Sequence, residues 1–232
     1  MQIDFTNRWH STFLGGHVGV LLVRNVDNTK HATPLDEKKQ QVEVHLRETF
    51  AGFSRADFLE NGVLKAYSTY YKQFGNTYHV QGQLESVVQK GKSLPDVSPL
   101  VDANFVAELE TLVLTAGHDA DLLEPPLTID ASRGGETFTQ MNGKERKLKP
   151  DDMMMVDALG IICTILYGQD RRTPISPQTR RALYVAYAPA GVPEGAVGRQ
   201  LESIRDNILL FAPDAEVERL KVVAAQGSNV QP

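Results

Sequence analysis

The apolar residues change their period once along the chain, and that change most limits what the chain can fold into. Between residues 34 and 112 they recur every three or four positions, the spacing of a buried helix face. Val42, Leu46 and Phe50 make one stripe, and Leu64, Tyr67, Tyr71 and Phe74 a second. Leu84, Val87 and Val88 make a third, with Gly52, Gly75 and Gly91 as stops. From residue 127 short runs alternate with dense turn signals, as strands do. Residues 127–131, 137–141, 144–148, 153–156, 161–166 and 183–187 read as strands, with Asn142-Gly143 as a two-residue hairpin turn. The run at residues 18–23 is β-branched and leucine-rich and reads as a buried strand ahead of the helices. A final helix carries Val197, Leu201, Ile204, Ile208 and Phe211 on one face. The expected fold is α+β, with helices packed on a mostly antiparallel sheet or open barrel. No repeat or low-complexity linker divides the chain. The expectation is one domain over residues 1–226 and a flexible tail over residues 227–232.

Residues 94–137 join the two halves. Ser98 is placed to cap a helix with Pro99 at its first position. Leu100, Val101, Phe105, Leu109 and Leu112 then define one buried face. The helix stops before Thr115-Ala116-Gly117. His118-Asp119-Ala120-Asp121 and Gly134-Gly135-Glu136-Thr137 follow, read as loops at element ends, where function is commonly displayed.

A net charge of -5 over 232 residues excludes a strongly basic, RNA-wrapping protein, so any nucleic-acid contact has to use a local patch. Cys163 is the only cysteine, which rules out a disulfide within the chain and fits a reducing compartment. No apolar run reaches the length of a membrane span. Residues 13–23 carry glycines and a histidine with no cleavage site after them, and read as strand rather than leader. The expected location is the cytoplasm, with no membrane partner.

The glycine-rich, zinc and nucleophile-elbow motifs are missing, so no cofactor and no metal is expected. Cys163, inside an apolar strand pattern, reads as a small buried hydrophobe. The tyrosines at 67, 70 and 71 have core spacing. Residues 168–173, GQDRRT, form the most suggestive loop, because paired arginines bind phosphate or carboxylate bidentately. Lys144, Arg146, Lys147 and Lys149, on and after the hairpin, add a local basic strip, and Arg171, Arg172, Lys144 and Arg146 are the candidate RNA-binding residues.

Several segments in order carry a resemblance: AYSTYYKQFG, LESVVQKGKSLPDVSPLVDAN, GHDADLL, GGETF and VDALGIICTILYGQDRRTPISPQTRRALY. Together they resemble the B3/B4 domain of the phenylalanyl-tRNA synthetase β chain, and most of all its free-standing relatives. The resemblance spans roughly residues 18–210, with Asp102, Asp119, Gly135, Glu136, Asp157 and Thr179 matching the pattern. It implies an α+β, tRNA-associated module with a pocket for an aminoacyl group. With the loop positions, it assigns Asn104, Gly117, His118, Asp119, Glu136, Cys163 and Gly168 to a ligand site. Two positions depart: Ala116 stands where the synthetase has its editing histidine, and Val185 where it has a pocket glutamate. The expected function is a stand-alone tRNA-binding domain that recognises an aminoacyl-tRNA 3′ end or an amino-acid-like ligand. The alternatives are an esterase that hydrolyses mischarged aminoacyl-tRNA and a small-molecule amino-acid-binding protein. Aminoacylation by this chain is not expected.

Overall fold

The computed structural model describes residues 1–29 and 32–226, so the expected tail at residues 227–232 lies outside the described residues. The chain opens with β1 (Ile3–Phe5), α1 (Asn7–Thr12) and β2 (His17–Arg24). Four helices follow: α2 (Thr33–Thr49), α3 (Gly62–Gln73), α4 (His79–Lys90) and α5 (Pro99–Thr111). Then come β3 (Thr115–Asp119), β4 (Leu127–Ala131), β5 (Thr137–Thr139), β6 (Glu145–Lys147), β7 (Met153–Asp157), β8 (Gly160–Thr164) and β9 (Gly168–Gln169). The last elements are β10 (Ala182–Ala188), α6 (Glu194–Leu209) and β11 (Glu216–Ala224).

Among the described residues, one sheet runs β1-β4-β7-β8-β9 and a second runs β11-β2-β10-β3, while β5 and β6 pair alone. Among the described residues, only the β1–β4 pair is parallel. Neither larger sheet closes on itself. The architecture is thus the expected α+β, with open sheets.

The run at residues 18–23 is fully buried in β2, between β10 and β11. Gly19 lies under α6, where an added Cβ would stand 2.7 Å from Val197 Cγ1 and 3.1 Å from Leu201 Cδ1. A glycine inside the strand therefore lets the helix seat directly on the sheet. α5 lies between α6 and α2 and also touches β3. Its buried residues include Leu100, Ala103, Val106, Ala107 and Leu109, so more than one face is covered. Val101 and Phe105 are only half-buried.

Ser98 is the N-cap residue of α5, but its side chain makes no capping bond. The donor at Leu100 goes instead to Asn28 Oδ1, 2.9 Å away, and Asp102 Oδ1 accepts the Val97 N–H at 3.0 Å. A residue 72 positions upstream supplies the cap that the sequence assigned to Ser98. The tyrosine stripe on α3 is core, as read. The Tyr67, Tyr71 and Tyr78 hydroxyls donate to the carbonyls of Tyr187, Ile165 and Leu112 at 2.7, 2.5 and 2.9 Å.

Four features differ from the sequence reading. β11 replaces the reading in which residues 183–187 form the last strand. It is an exposed edge strand whose alternation breaks at a bulge between Val217 and Arg219. β1 is three residues long and is defined by its pairing with β4. α1 follows it, capped by Thr6 Oγ1, which accepts the Trp9 N–H at 3.0 Å. Residues 115–119 are strand β3 rather than loop, because β10 supplies the pairing. The Asn142-Gly143 turn is not a two-residue turn: Gln140 O accepts the Gly143 N–H at 2.9 Å, and Gly143 alone of the pair has positive φ. A type I′ turn needs positive φ at both central residues.

Candidate functional site

A cavity of about 440 Å³ opens between α4, α5, β3, β10 and the β8–β9 segment, with Met141 of the hairpin at its edge. Its walls are largely apolar: Val101 and Phe105 from α5, Leu114, Ile165, Ile175 and the rings of Tyr184 and Tyr187. Polar groups are few, as is usual for small-ligand sites.

The β3 edge forms part of the wall. Tyr187 N–H donates to Leu114 O at 3.1 Å and Ala120 N–H to Arg181 O at 2.9 Å, so the even-numbered residues of this stretch bond to β10. In an antiparallel pair the intervening residues turn their peptide groups outward. Those of Thr115 are held by α5: Glu108 Oε1 accepts its N–H at 2.7 Å, and Asn104 Nδ2 donates to its carbonyl at 3.1 Å. Asp119 N–H donates to Thr173 O at 3.1 Å. Gly117 lies between these clamps and lines the cavity, with its carbonyl turned to the Ile175 N–H across the antiparallel bridge of His118 with Pro174. A Cβ on Gly117 would sit 2.8 Å from Ile175 Cδ1 and 2.9 Å from the Tyr184 ring. Glycine is needed there for packing, because no side chain fits between Ile175 and Tyr184.

Glu108 is the carboxyl of the cavity. Burial pushes it up to about 8, against the opposing hydrogen bonds from the Thr115 N–H and the Asn104 amide. It is therefore mostly protonated at neutral pH. Among the described residues, no Lys or Arg lines the cavity. The Cys163 thiol lines the wall beside the Tyr187 hydroxyl and is also raised by burial, so it is not a ready nucleophile. His79 stands exposed on the lining.

Of the residues the sequence assigned to the ligand, Asn104, Gly117, Cys163 and Gly168 line this cavity. His118, Asp119 and Glu136 are not among the lining residues. His118 is fully buried in β3, not on a loop, with Nδ1 2.8 Å from Thr173 Oγ1 and 3.2 Å from Gln169 Nε2. Burial lowers it to about 3, so the imidazole is neutral. Asp119 accepts the Asp121 N–H at 3.0 Å and the Thr179 hydroxyl at 2.6 Å, which stabilises the chain leaving β3. Glu136 accepts the Arg133 N–H at 2.6 Å and closes the turn through Gly134 and Gly135, both of positive φ.

The arginine pair divides. Arg172 sends Nη1 and Nη2 to the Asp157 carboxylate at 3.2 and 3.0 Å and sets Nε 2.8 Å from Asp170 Oδ2. Its guanidinium is thus paired within the fold, while its side chain remains one-third exposed. Arg171 is exposed, and its N–H donates to Thr139 O at 3.1 Å, which fastens the loop to the hairpin. Asp170 bridges Gln140, and Met141 N–H donates to Gln169 O at 3.2 Å. The hairpin bearing Lys144 and Arg146 thus docks along β9 beside the cavity. Both residues are exposed, and the Arg146 guanidinium lies 5.9 Å from the Tyr167 ring centre.

Glu108 was missed in the sequence. The signal was present: it follows Asn104 by four, on the same helix face, between the apolar residues Ala107 and Leu109.

The fold compares with an N-terminal fragment of the phenylalanyl-tRNA synthetase beta-subunit from Pyrococcus horikoshii, at 9% identity and a TM-score of 0.48. The match covers 93% of this chain and 50% of that one, so this chain spans about half the length of that fragment. No curated protein matches the chain. The B3/4 domain family matches residues 65–197, more than half of the chain and the part that builds most of the cavity. The chain belongs to the B3/4 domain family.

Proposed function

We propose that this protein binds the aminoacyl end of a tRNA, with the amino-acid moiety in the cavity and the 3′ phosphates along the basic hairpin. The observation that carries the reading is the distribution of charge. Among the described residues, the cavity is lined by one carboxyl, that of Glu108, and by no lysine or arginine. A free amino acid would bring in a carboxylate with no cation to meet it, and burying an unpaired charge is costly. An ester has no such charge. The cations lie outside instead, at Lys144, Arg146 and Arg171, where a phosphate backbone would run. Arg172, Asp119, Glu136 and His118 support the walls in this reading. The proposed unit is one domain over residues 1–226, and the proposed setting is the cytoplasm.

The test uses a tRNA 3′-end hairpin carrying either an amide-linked amino acid or a free 3′ end, with binding measured by fluorescence anisotropy at several salt concentrations. The charged hairpin is expected to bind more tightly, with a log–log salt slope of about 0.7 to 0.9 per phosphate contact. Equal binding of both hairpins, or free amino acid binding without RNA binding, overturns the reading. The same hairpins with ester linkages report hydrolysis by release of the amino acid, which separates the esterase alternative.

A further inference from the structure

Glu108 is an unusual residue for this cavity. It sits on a helix covered on more than one face and is 3% exposed, yet it lines the open space. Its Oε1 holds the Thr115 N–H. A neutral amide would serve that purpose equally well, without the cost of burying an ionisable group. Asn104 performs the matching task on the Thr115 carbonyl with an amide. Among the described residues, burial, the Thr115 N–H and the Asn104 amide act on Glu108, with no cation beside them.

Resting on the proposed aminoacyl reading, we propose that Glu108 receives the α-ammonium group of the bound amino acid and makes the cavity selective for a free α-amine. The acyl group would then lie beside Gly117 on the cavity wall, with the side chain of the amino acid in the apolar space beyond. The charged pair forms only on binding, when the ammonium replaces the proton that the empty cavity keeps on Glu108. The titratable groups facing Glu108 are Tyr67 and Tyr71 of α3 and Tyr78 ahead of α4. Burial raises all three, so they stay neutral throughout the range used. α6 contributes the uncharged Gln200, which donates to Thr115 Oγ1 at 2.9 Å. β8 contributes the Cys163 thiol, raised by burial, and α4 contributes His79 at the lining.

The experiment compares a panel of apolar L-amino acid amides with their N-acetylated counterparts, by calorimetry on the whole protein, on Glu108→Gln, and on His79→Gln as a control for imidazole titration. Wild type is expected to prefer the free amine by about tenfold or more, the worth of a charge-assisted hydrogen bond. Between pH 6 and 7 its affinity should rise by up to about tenfold, with about one proton released per amide bound. Glu108→Gln should lose the preference and the pH dependence while binding the acetylated amides as wild type does. Equal losses for both ligand sets mean that Glu108 only holds Thr115, and overturn the inference. Proton release in wild type, read from buffers of different ionisation heat, decides the point even if the variant fails to fold. Binding of acetylated and free amides alike leaves the aminoacyl reading standing and removes Glu108 from it. Binding of neither by wild type overturns both.

Discussion

Replacing Arg172 with Ala removes the guanidinium that joins two buried carboxylates. The Asp157 side chain is 0% exposed and that of Asp170 3%, while Arg172 itself is 33% exposed. The carboxylates keep other donors: Leu159 N–H on Asp157 at 2.9 Å, and the Thr173 hydroxyl on Asp170 at 2.7 Å. Breaking a buried pair costs about 3–5 kcal/mol, because the surviving charge stays desolvated. Water reaching the vacated arginine site sets the expectation at the low end, about 3 kcal/mol. Arg171→Ala, one residue away, removes only an exposed side chain and should change stability by less than about 0.5 kcal/mol. Urea unfolding followed by the emission of the buried Trp9 measures both variants. Asp157→Asn added to Arg172→Ala removes one of the stranded charges and should recover part of the loss, which a double-mutant cycle quantifies. If Arg172→Ala matches Arg171→Ala within error, the ion-pair account of the loop is wrong. Arg172 would then be a surface residue open to phosphate.

Glu108→Gln also has a pH signature. The folded group titrates at about 8 and the unfolded one near its ordinary value of 4.5, so the native state retains a proton that the unfolded state has lost. Wild-type stability therefore falls as pH rises through that window. The variant should match wild type near pH 5 and exceed it by several kcal/mol, at most about 5, at pH 9. A difference in melting temperature that is constant with pH refutes protonated Glu108. Gly117→Ala should cost about 1–3 kcal/mol through overpacking against Tyr184, whose hydroxyl is fixed on Leu100 O at 2.8 Å. Its melting temperature and its amide affinity are both expected to fall, and retention of both would mean that the edge is looser than described. Neutralising Lys144, Arg146 and Arg171 to Gln should leave the melting temperature unchanged and flatten the salt dependence of RNA binding by about 0.7 to 0.9 per lost contact. An unchanged slope would move the RNA elsewhere.

The sequence by itself determined the elements whose apolar period is strong. The tyrosine stripe of α3, the buried run of β2 and the strands β4, β7 and β8 need no partner to be recognised, because periodicity records burial directly. It also carried the family, through the order of segments that are individually weak. It determined four cavity residues, Asn104, Gly117, Cys163 and Gly168, through that resemblance rather than through local chemistry. Tertiary structure decided the rest. β3 and β11 are defined by pairing with β10 and β2, and β1 by pairing with β4. The cap of α5 comes from Asn28, which sequence distance conceals. Adjacent arginines parted because Asp157, fifteen residues away from Arg172, draws in one and not the other. Glu108 reads as an ordinary polar helix residue until α3, α6 and β3 enclose it and desolvation changes its protonation. Local pattern reports how much of a residue is covered. Which polar group meets which, and in what charge state, depends on distances that only the assembled chain fixes.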